Sequence, residues 1–310
     1  ANWGPRPGGD YGFLHDDRRI LDFGKAIAVR WGGQSLFAGK VTGLEGLFPR
    51  DGPPEFAALA EDRLQDLRMT RRTRTFLDAK DADAFRAVAA DHGLTPVLDL
   101  DGPKRPVIAQ VNQSDLAFLR DRARYLDADV WLDGNELHAA QRSKRTEQAL
   151  ELTWPGQVRS VAVTADLATQ RTSVKVSGWD PRTKAVAAFE ATDSALGAEL
   201  RGGDSGAALL RRAFGARAEV IAHRAPLDNT AARSEAEAAF RQVARRFVVA
   251  RGVAEPDGKF RPGRPVKLVG LGPLFGGTFR LREVRHVFDD ADGQGLRTEF
   301  EAERPALGGT

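Results

Sequence analysis

There is no cysteine in these 310 residues. Disulfides, thiolate catalysis and cysteine-ligated zinc are therefore excluded, and a chain without thiols suits assembly in a reducing cytoplasm. Long apolar runs are also missing. No stretch comes near the ~18 uninterrupted apolar residues that a membrane span needs, so no membrane insertion is expected. The first residues lack the charged, apolar, small order of a secretory leader. Charge of one sign is scarce: Lys+Arg 46 against Asp+Glu 43 leaves +3, too little for a nucleic-acid footprint by itself. Hydrophobic residues at 42% and charged residues at 29% are ordinary for a folded chain and rule out a disordered segment, a collagen or a coiled-coil rod. At ~150 residues per domain the length suggests about two domains. No tandem repeat of fixed period is present.

What is there reads as strands at both ends with mixed segments between. Residues 1–19 are rich in Gly, Pro and Asp and read as loop. Ala26 to Trp31 alternates with period two, Gly32-Gly33 is a hairpin turn, and Leu36 to Glu45 returns. Phe48 to Pro54 is a loop, Glu55 to Ala60 a third strand, and Asp62 to Leu67 a short helical turn. Asp81 to His92 carries Ala84, Phe85, Val88 and Ala89 on one helical face, with Gly93 as its stop. Ser114 caps a helix over Asp115 to Tyr125, and Asp129 to His138 is a hairpin turning at Gly134-Asn135. Ser160 to Thr164, Thr172 to Asp180 and Lys184 to Phe189 read as strands, with a turn at Pro181-Arg182. Ala231 to Phe247 is a helix rich in Ala, Glu and Arg. Val266 to Val269, Thr278 to Phe288 and Leu296 to Glu303 are strands again.

Chemistry is thinly signalled. Gly203-Asp204-Ser205-Gly206 is like a serine-protease nucleophile loop, but no histidine stands in a matching context, and a turn before a helix cap explains it better. Gly270 to Gly277 is glycine-rich, yet an alternating strand follows, so it reads as a loop and not a phosphate cradle on a helix. The five histidines, His15, His92, His138, His223 and His286, lack metal-ligand spacing. The acidic run Asp289 to Gly293 does not complete a calcium loop and reads as a solvated turn. No metal or cofactor is expected. One dense basic run, Arg68 to Arg74, alternates Arg with Thr and suits the exposed face of a strand. Arg68, Arg71, Arg72 and Arg74 are candidates for a protein interface, since guanidinium forks pair with carboxylates. No interleaved aromatics favour nucleic acid.

Gln110-Val111-Asn112-Gln113-Ser114-Asp115-Leu116-Ala117-Phe118-Leu119 resembles the "N-Q-S-D-x-x-F-L" segment of the phage late control gene D family, which includes the hubs of contractile tails and the related VgrG and Pvc-type hubs of contractile injection systems. Phe37, Gly39 and Glu45 fall on its "F-x-G-x-I-T-x-L-E" strand. Arg72, Arg74 and Phe76 fall on its "R-x-R-T-F" edge. His286 lies on its terminal "G-x-Y-x-V-x-x-V-x-H" strand, and Thr298 and Arg304 lie in the last hairpin. Asn112, Gln113, Ser114, Asp115, Phe118 and Leu119 complete the set, as structural residues without a catalytic role.

The resemblance implies an α+β, β-rich fold with two tube-protein-like antiparallel β-barrels and inserted α/β and helical segments. The barrels are expected at 1–75 and at 157–190 plus 247–304, with the α/β insert at 76–156 and 191–246 and a tail at 305–310. It further implies a non-enzymatic homotrimer joining a hexameric inner tube to a trimeric spike. Three chains with two related barrels each present six docking units. Relative to the family, a strand region before Ala1-Asn2-Trp3 is expected to be missing, and no needle follows, so the spike is expected to be a separate chain. Other baseplate components are expected partners. The particle would be assembled in the cytoplasm as part of a phage tail, tailocin or injection system. Two other functions stay open on the residues alone: a tail-associated cell-wall hydrolase, which needs two carboxylates in a cleft, and a nucleic-acid binder using Arg68 to Arg74.

Overall fold

The computed structural model describes residues 3–6, 8–13, 18–180, 183–222, 228–289 and 295–309. His15, His223, the Pro181-Arg182 turn and Asp290 to Gly293 lie outside the described residues. Strands β1 (Trp3–Pro5) and β2 (Tyr11–Phe13) pair antiparallel. A meander of β3 (Ala26–Trp31), β4 (Gln34–Leu47) and β5 (Glu55–Glu61) follows, as the alternation predicts. Gly32 and Gly33 turn at φ 52° and 79°, the left-handed pair that a two-residue hairpin requires. Gly39 is fixed by crowding: a Cβ there would lie 2.2 Å from the Glu61 carbonyl oxygen and 2.6 Å from Phe37 Cζ. Burial in this module is shallow. Among its described apolar side chains only Phe13 and Val41 are buried, while Trp31, Leu47, Phe48 and Leu59 are exposed.

An α/β module comes next. It comprises β6 (Arg71–Ala79), α1 (Asp81–Asp91), β7 (Thr95–Asp99), β8 (Arg105–Ser114), α2 (Asp115–Tyr125), β9 (Ala128–Asp133) and β10 (Glu136–Gln141). β6 pairs with β8, and β7-β10-β9 form a second sheet. The helical face read from the sequence is the buried one: Ala84, Phe85, Val88 and Ala89 pack with Leu116, Phe118, Leu119 and Leu137. β6 runs through residue 75, where the first module was expected to end, because its partner is β8 and not the meander.

The remaining elements are β11 (Leu150–Thr153), β12 (Val158–Ala165), β13 (Ser173–Asp180), β14 (Ala185–Ala191), β15 (Asp204–Ser205), α3 (Gly206–Phe214), β16 (Ala218–Ile221), α4 (Asn229–Ala244), β17 (Val248–Ala254), β18 (Pro265–Val269), α5 (Gly272–Phe275), β19 (Gly277–Asp289), β20 (Gly295–Arg304) and β21 (Ala306–Leu307). Six of them form one sheet in the order β11-β18-β19-β20-β17-β12. All its pairs are antiparallel except β11 with β18. Its edges, β11 and β12, are consecutive in the chain, so the sheet curls back on itself around Val158, Val266, Leu268, Phe279, Leu281 and Phe300.

β13 and β14 do not join that sheet, although 157–190 was assigned to it. They pair with each other and with β16, because Val174 and Val176 pack on Ala236 and Phe240 of α4. α4 starts where Asp228 accepts from the Ala231 N–H at 2.8 Å, two residues before the helix expected from Ala231. The glycine-rich run carries one difference from its reading as plain loop: a four-residue helical turn, α5, with Pro273 inside its first turn. No helix among the described residues is long and apolar enough to cross a membrane.

Candidate functional site

The residues of the Gln110 to Leu119 motif meet at the start of α2. Ser114 is extended (ψ 153°) and its Oγ accepts from the Ala117 N–H at 3.2 Å, which places Asp115 at the first helical position. The opposite wall is β6. Its period of two turns Arg72, Arg74 and Phe76 inward and leaves Arg71, Thr73 and Thr75 outside. Between Arg72 and Arg74 the β6–β8 ladder slips: Arg72 pairs with Gln113 but Arg74 with Gln110. The extra residue on β8 makes a bulge, and Asn112 takes it up at φ 45°, a conformation asparagine tolerates better than most residues. The Asn112 N–H donates to Thr73 Oγ1 at 3.1 Å, and its carbonyl accepts from Arg71 Nη1 at 2.8 Å.

Asp115, 1% exposed, is the centre. Its Oδ1 accepts from Arg74 Nη2 and from Gln110 Nε2, both at 2.9 Å. Its Oδ2 lies 2.8 Å from His92 Nε2 and 3.2 Å from Arg72 Nε. Arg74 also donates to Gln110 Oε1 at 2.8 Å and to Asp91, and it lies over the Phe76 ring, which stacks on Phe118 with centroids 5.9 Å apart. Burial by itself would raise the Asp115 carboxyl. Hydrogen bonds with His92 and Gln110 and the charges of Arg74 and Arg72 overcome this and hold it below the usual carboxylate range. The group is a clamp that ties β6, β8, the end of α1 and the start of α2 together. A carboxylate this covered, with both oxygens occupied, has no face for a substrate.

The other motif residues do not join this clamp. Phe37, Gly39 and Glu45 lie on β4, with Glu45 exposed. Gln113 points away and donates to Asp121 at 2.9 Å. His286 and Thr298 are cross-strand partners of β19 and β20, with Nδ1 and Oγ1 3.0 Å apart. Burial, then the charge of Arg261, pushes the His286 imidazole below its ordinary value. Arg304 donates to the Gly276 and Leu274 carbonyls at 2.8 and 2.9 Å and lies over Phe279. It therefore ties down the glycine-rich run. Of the four arginines read as an exposed interface, Arg72 and Arg74 turn inward to Asp115. Arg68 is exposed and pairs with Glu61 at 2.7 Å.

A second polar network, without any sequence motif, joins the modules. Arg245, at the end of α4, donates to Asp127 and to both oxygens of Glu199 at 2.7 and 2.8 Å. Arg142 bridges Asp129 at 2.9 Å and Glu303 at 3.0 Å, and Tyr125 donates to Glu235 of α4. Burial alone would raise Asp129 and Glu199. The guanidinium of Arg142 holds Asp129 low, and that of Arg245 holds Glu199 low. The only hint in the sequence was the position of Asp127 and Asp129 just past α2. Their partners lie up to 118 positions away, beyond any local pattern.

The remaining chemical candidates are structural. Ser205 Oγ accepts from the Ala208 N–H at 3.0 Å and donates to Asp193 at 2.9 Å, capping α3. His138 stacks on Trp131 and lies 3.0 Å from Glu136. Among the described residues no group of three or more His, Asp or Glu side chains could hold a metal.

Comparison with known proteins bears on this scaffold. Solved structures of similar fold include a 43 kDa tail protein of prophage MuSo2 from Shewanella oneidensis, at TM-score 0.71 and 14% identity over 92% of this chain and 84% of that one. A tail protein from Neisseria meningitidis MC58 follows, at 0.69 and 14% over 91% and 84%. An E. coli component of the type VI secretion system, described as structurally similar to the T4 bacteriophage tail proteins gp27 and gp5, gives 0.50 and 12% over 91% and 64%. At these identities the likeness is one of fold: the chain has the β-rich fold of tail proteins. No curated protein matches the sequence. A family model described as the Alg8 N-terminal domain matches residues 17–290, and the chain belongs to that family.

Proposed function

We propose that this chain is a structural hub of a contractile tail or contractile injection system, of the late control gene D type. It forms a homotrimer between a hexameric inner tube and a trimeric spike carried on a separate chain, among other baseplate components. The observation that carries the reading is the fold likeness to two tail proteins over nine-tenths of the chain. Two further facts support it. β modules stand near both ends of the chain, the meander β3–β5 and the curled six-stranded sheet. Three chains would then offer six docking units to a sixfold tube. The motif residues also serve scaffolding: Asp115, Arg72 and Arg74 hold elements together. On this reading the protein is not an enzyme, takes no cofactor, and assembles in the cytoplasm before entering the particle. The basic run is a poor nucleic-acid stripe, since half of its arginines face inward. Particle averaging of the assembled complex tests the proposal. Threefold density for this chain between tube and tip is expected. A chain that stays monomeric by light scattering with tube and spike proteins both added would overturn it.

A further inference from the structure

A cleft of about 970 Å³ opens where the α/β module, α4 and the curled sheet meet. Its size is that of a small-molecule site. Its lining holds eight arginines and five carboxylates. Every one of the carboxylates already holds a cation. Asp101 pairs with Lys144, and Asp127 and Glu199 pair with Arg245. Glu237 pairs with Arg233 and Arg241, and Glu303 pairs with Arg142. Arg145 is satisfied from outside the lining by Asp129 and Glu147.

Three guanidinia of the lining are left without a carboxylate among the described residues: Arg201, Arg280 and Arg304. Arg280 projects from β19 opposite Glu303 in the ladder, but the Glu303 carboxylate is drawn to Arg142, and Arg280 donates only to the carbonyls of Gly263 and Arg142. Arg304, 6% exposed, likewise donates only to carbonyls, its guanidinium lying over the Phe279 ring. Burial, then the like charges of Arg145, Arg142 and Arg245, push the Arg280 guanidinium below its ordinary value against the pull of Asp129. Burial pushes Arg304 down to about 10. Arg280 and Arg304, covered and without a carboxylate at ion-pair distance, are costly as they stand, and an anion with two or more charges relieves both at once. Guanidinium forks match oxyanions in geometry.

We propose that this cleft binds a small multivalent oxyanion of the phosphate class, with Arg280 as its main anchor, Arg201 at the mouth and Arg304 beneath. The site does not depend on the assembly role above. Calorimetric titration of the full chain with inorganic tripolyphosphate, at ionic strength held constant with sodium chloride, tests it. Saturable binding at one site per chain is expected, weakened about tenfold or more in Arg280→Gln, the loss that follows from removing a charged hydrogen-bond partner. Lys267→Gln, on the sheet but outside the cleft, should bind as the parent does. Far-UV circular dichroism checks that each variant is folded, and Arg201→Gln gives a second reading if Arg280→Gln is not. Linear, non-saturating heats, or saturable binding unchanged in the folded variants, would overturn the assignment.

Discussion

Replacing Asp115 with asparagine keeps the size of the side chain and removes its charge, which makes it the sharpest test of the clamp. The aspartate accepts from Arg74 and Gln110 and meets His92 and Arg72, while being 1% exposed. Removing one partner of a fully buried ion pair costs about 3–5 kcal/mol. Arg72 and Arg74 keep 38% and 23% of their side chains in contact with water, and Asp91 remains beside them. Solvent and Asp91 therefore return part of the loss, and about 2–3 kcal/mol is expected for Asp115→Asn. Urea unfolding followed by circular dichroism measures it. Combining the change with Arg74→Gln should give a coupling of about 1 kcal/mol or more, since the two side chains are in contact. The pH dependence has a definite sign. The folded carboxyl titrates below its unfolded value of about 3.9, so its contribution is full above that value and is lost as the pH falls through the lower folded one. The gap between parent and variant should close in acid. A variant within about 0.5 kcal/mol of the parent at neutral pH, the range of ordinary surface substitutions, would refute the clamp.

Four other outcomes follow from the packing. Gly39→Ala should destabilise by about 1–3 kcal/mol in denaturant titration, because the backbone oxygen of Glu61 at 2.2 Å cannot step aside. Gly43→Ala, which meets only the flexible Leu59 side chain at 3.1 Å, should cost less. Ser114→Ala should cost about 1 kcal/mol through loss of the α2 cap, read by the same unfolding assay. Arg245→Gln leaves Asp127 with only the more distant Arg241, at 3.9 Å, and leaves Glu199, 34% exposed, to solvent; it should cost about 2–3 kcal/mol, seen as faster hydrogen exchange in α4 and β9 together.

Much of the fold was legible because its signals were local. Gly32-Gly33, Ser114 and Gly93 mark turns and caps by their own backbone chemistry, and the apolar faces of α1, α2 and β19 show their period directly. β8 was not legible. Pro106 reads as a breaker, and the inward positions of the strand carry Ile108 and then the fully buried Gln110, a polar residue that spoils the alternation. The placement of β13 and β14 could not be read either. Their pattern fits any half-buried strand, and only the Val174 and Val176 contacts with α4 decide the matter. The motif signalled that Asp115 mattered without saying why, since Arg74 lies 41 positions earlier and the bulge at Asn112 is a property of two strands at once.

The interleaving of the curled sheet has a consequence for synthesis on the ribosome. β12 waits for β17, roughly eighty residues downstream, and β17 in turn needs β20 on its other side. At ~5–20 residues per second, several seconds pass with the β12 backbone unpaired, long enough for two nascent chains on one messenger to find each other's open edge. Meanwhile the α/β module, complete by Gln141, has had time to settle. Premature termination anywhere in β17 to β20 should therefore yield a protein with a sound front half and a sticky remainder, recovered in the insoluble fraction and not as a shortened soluble product.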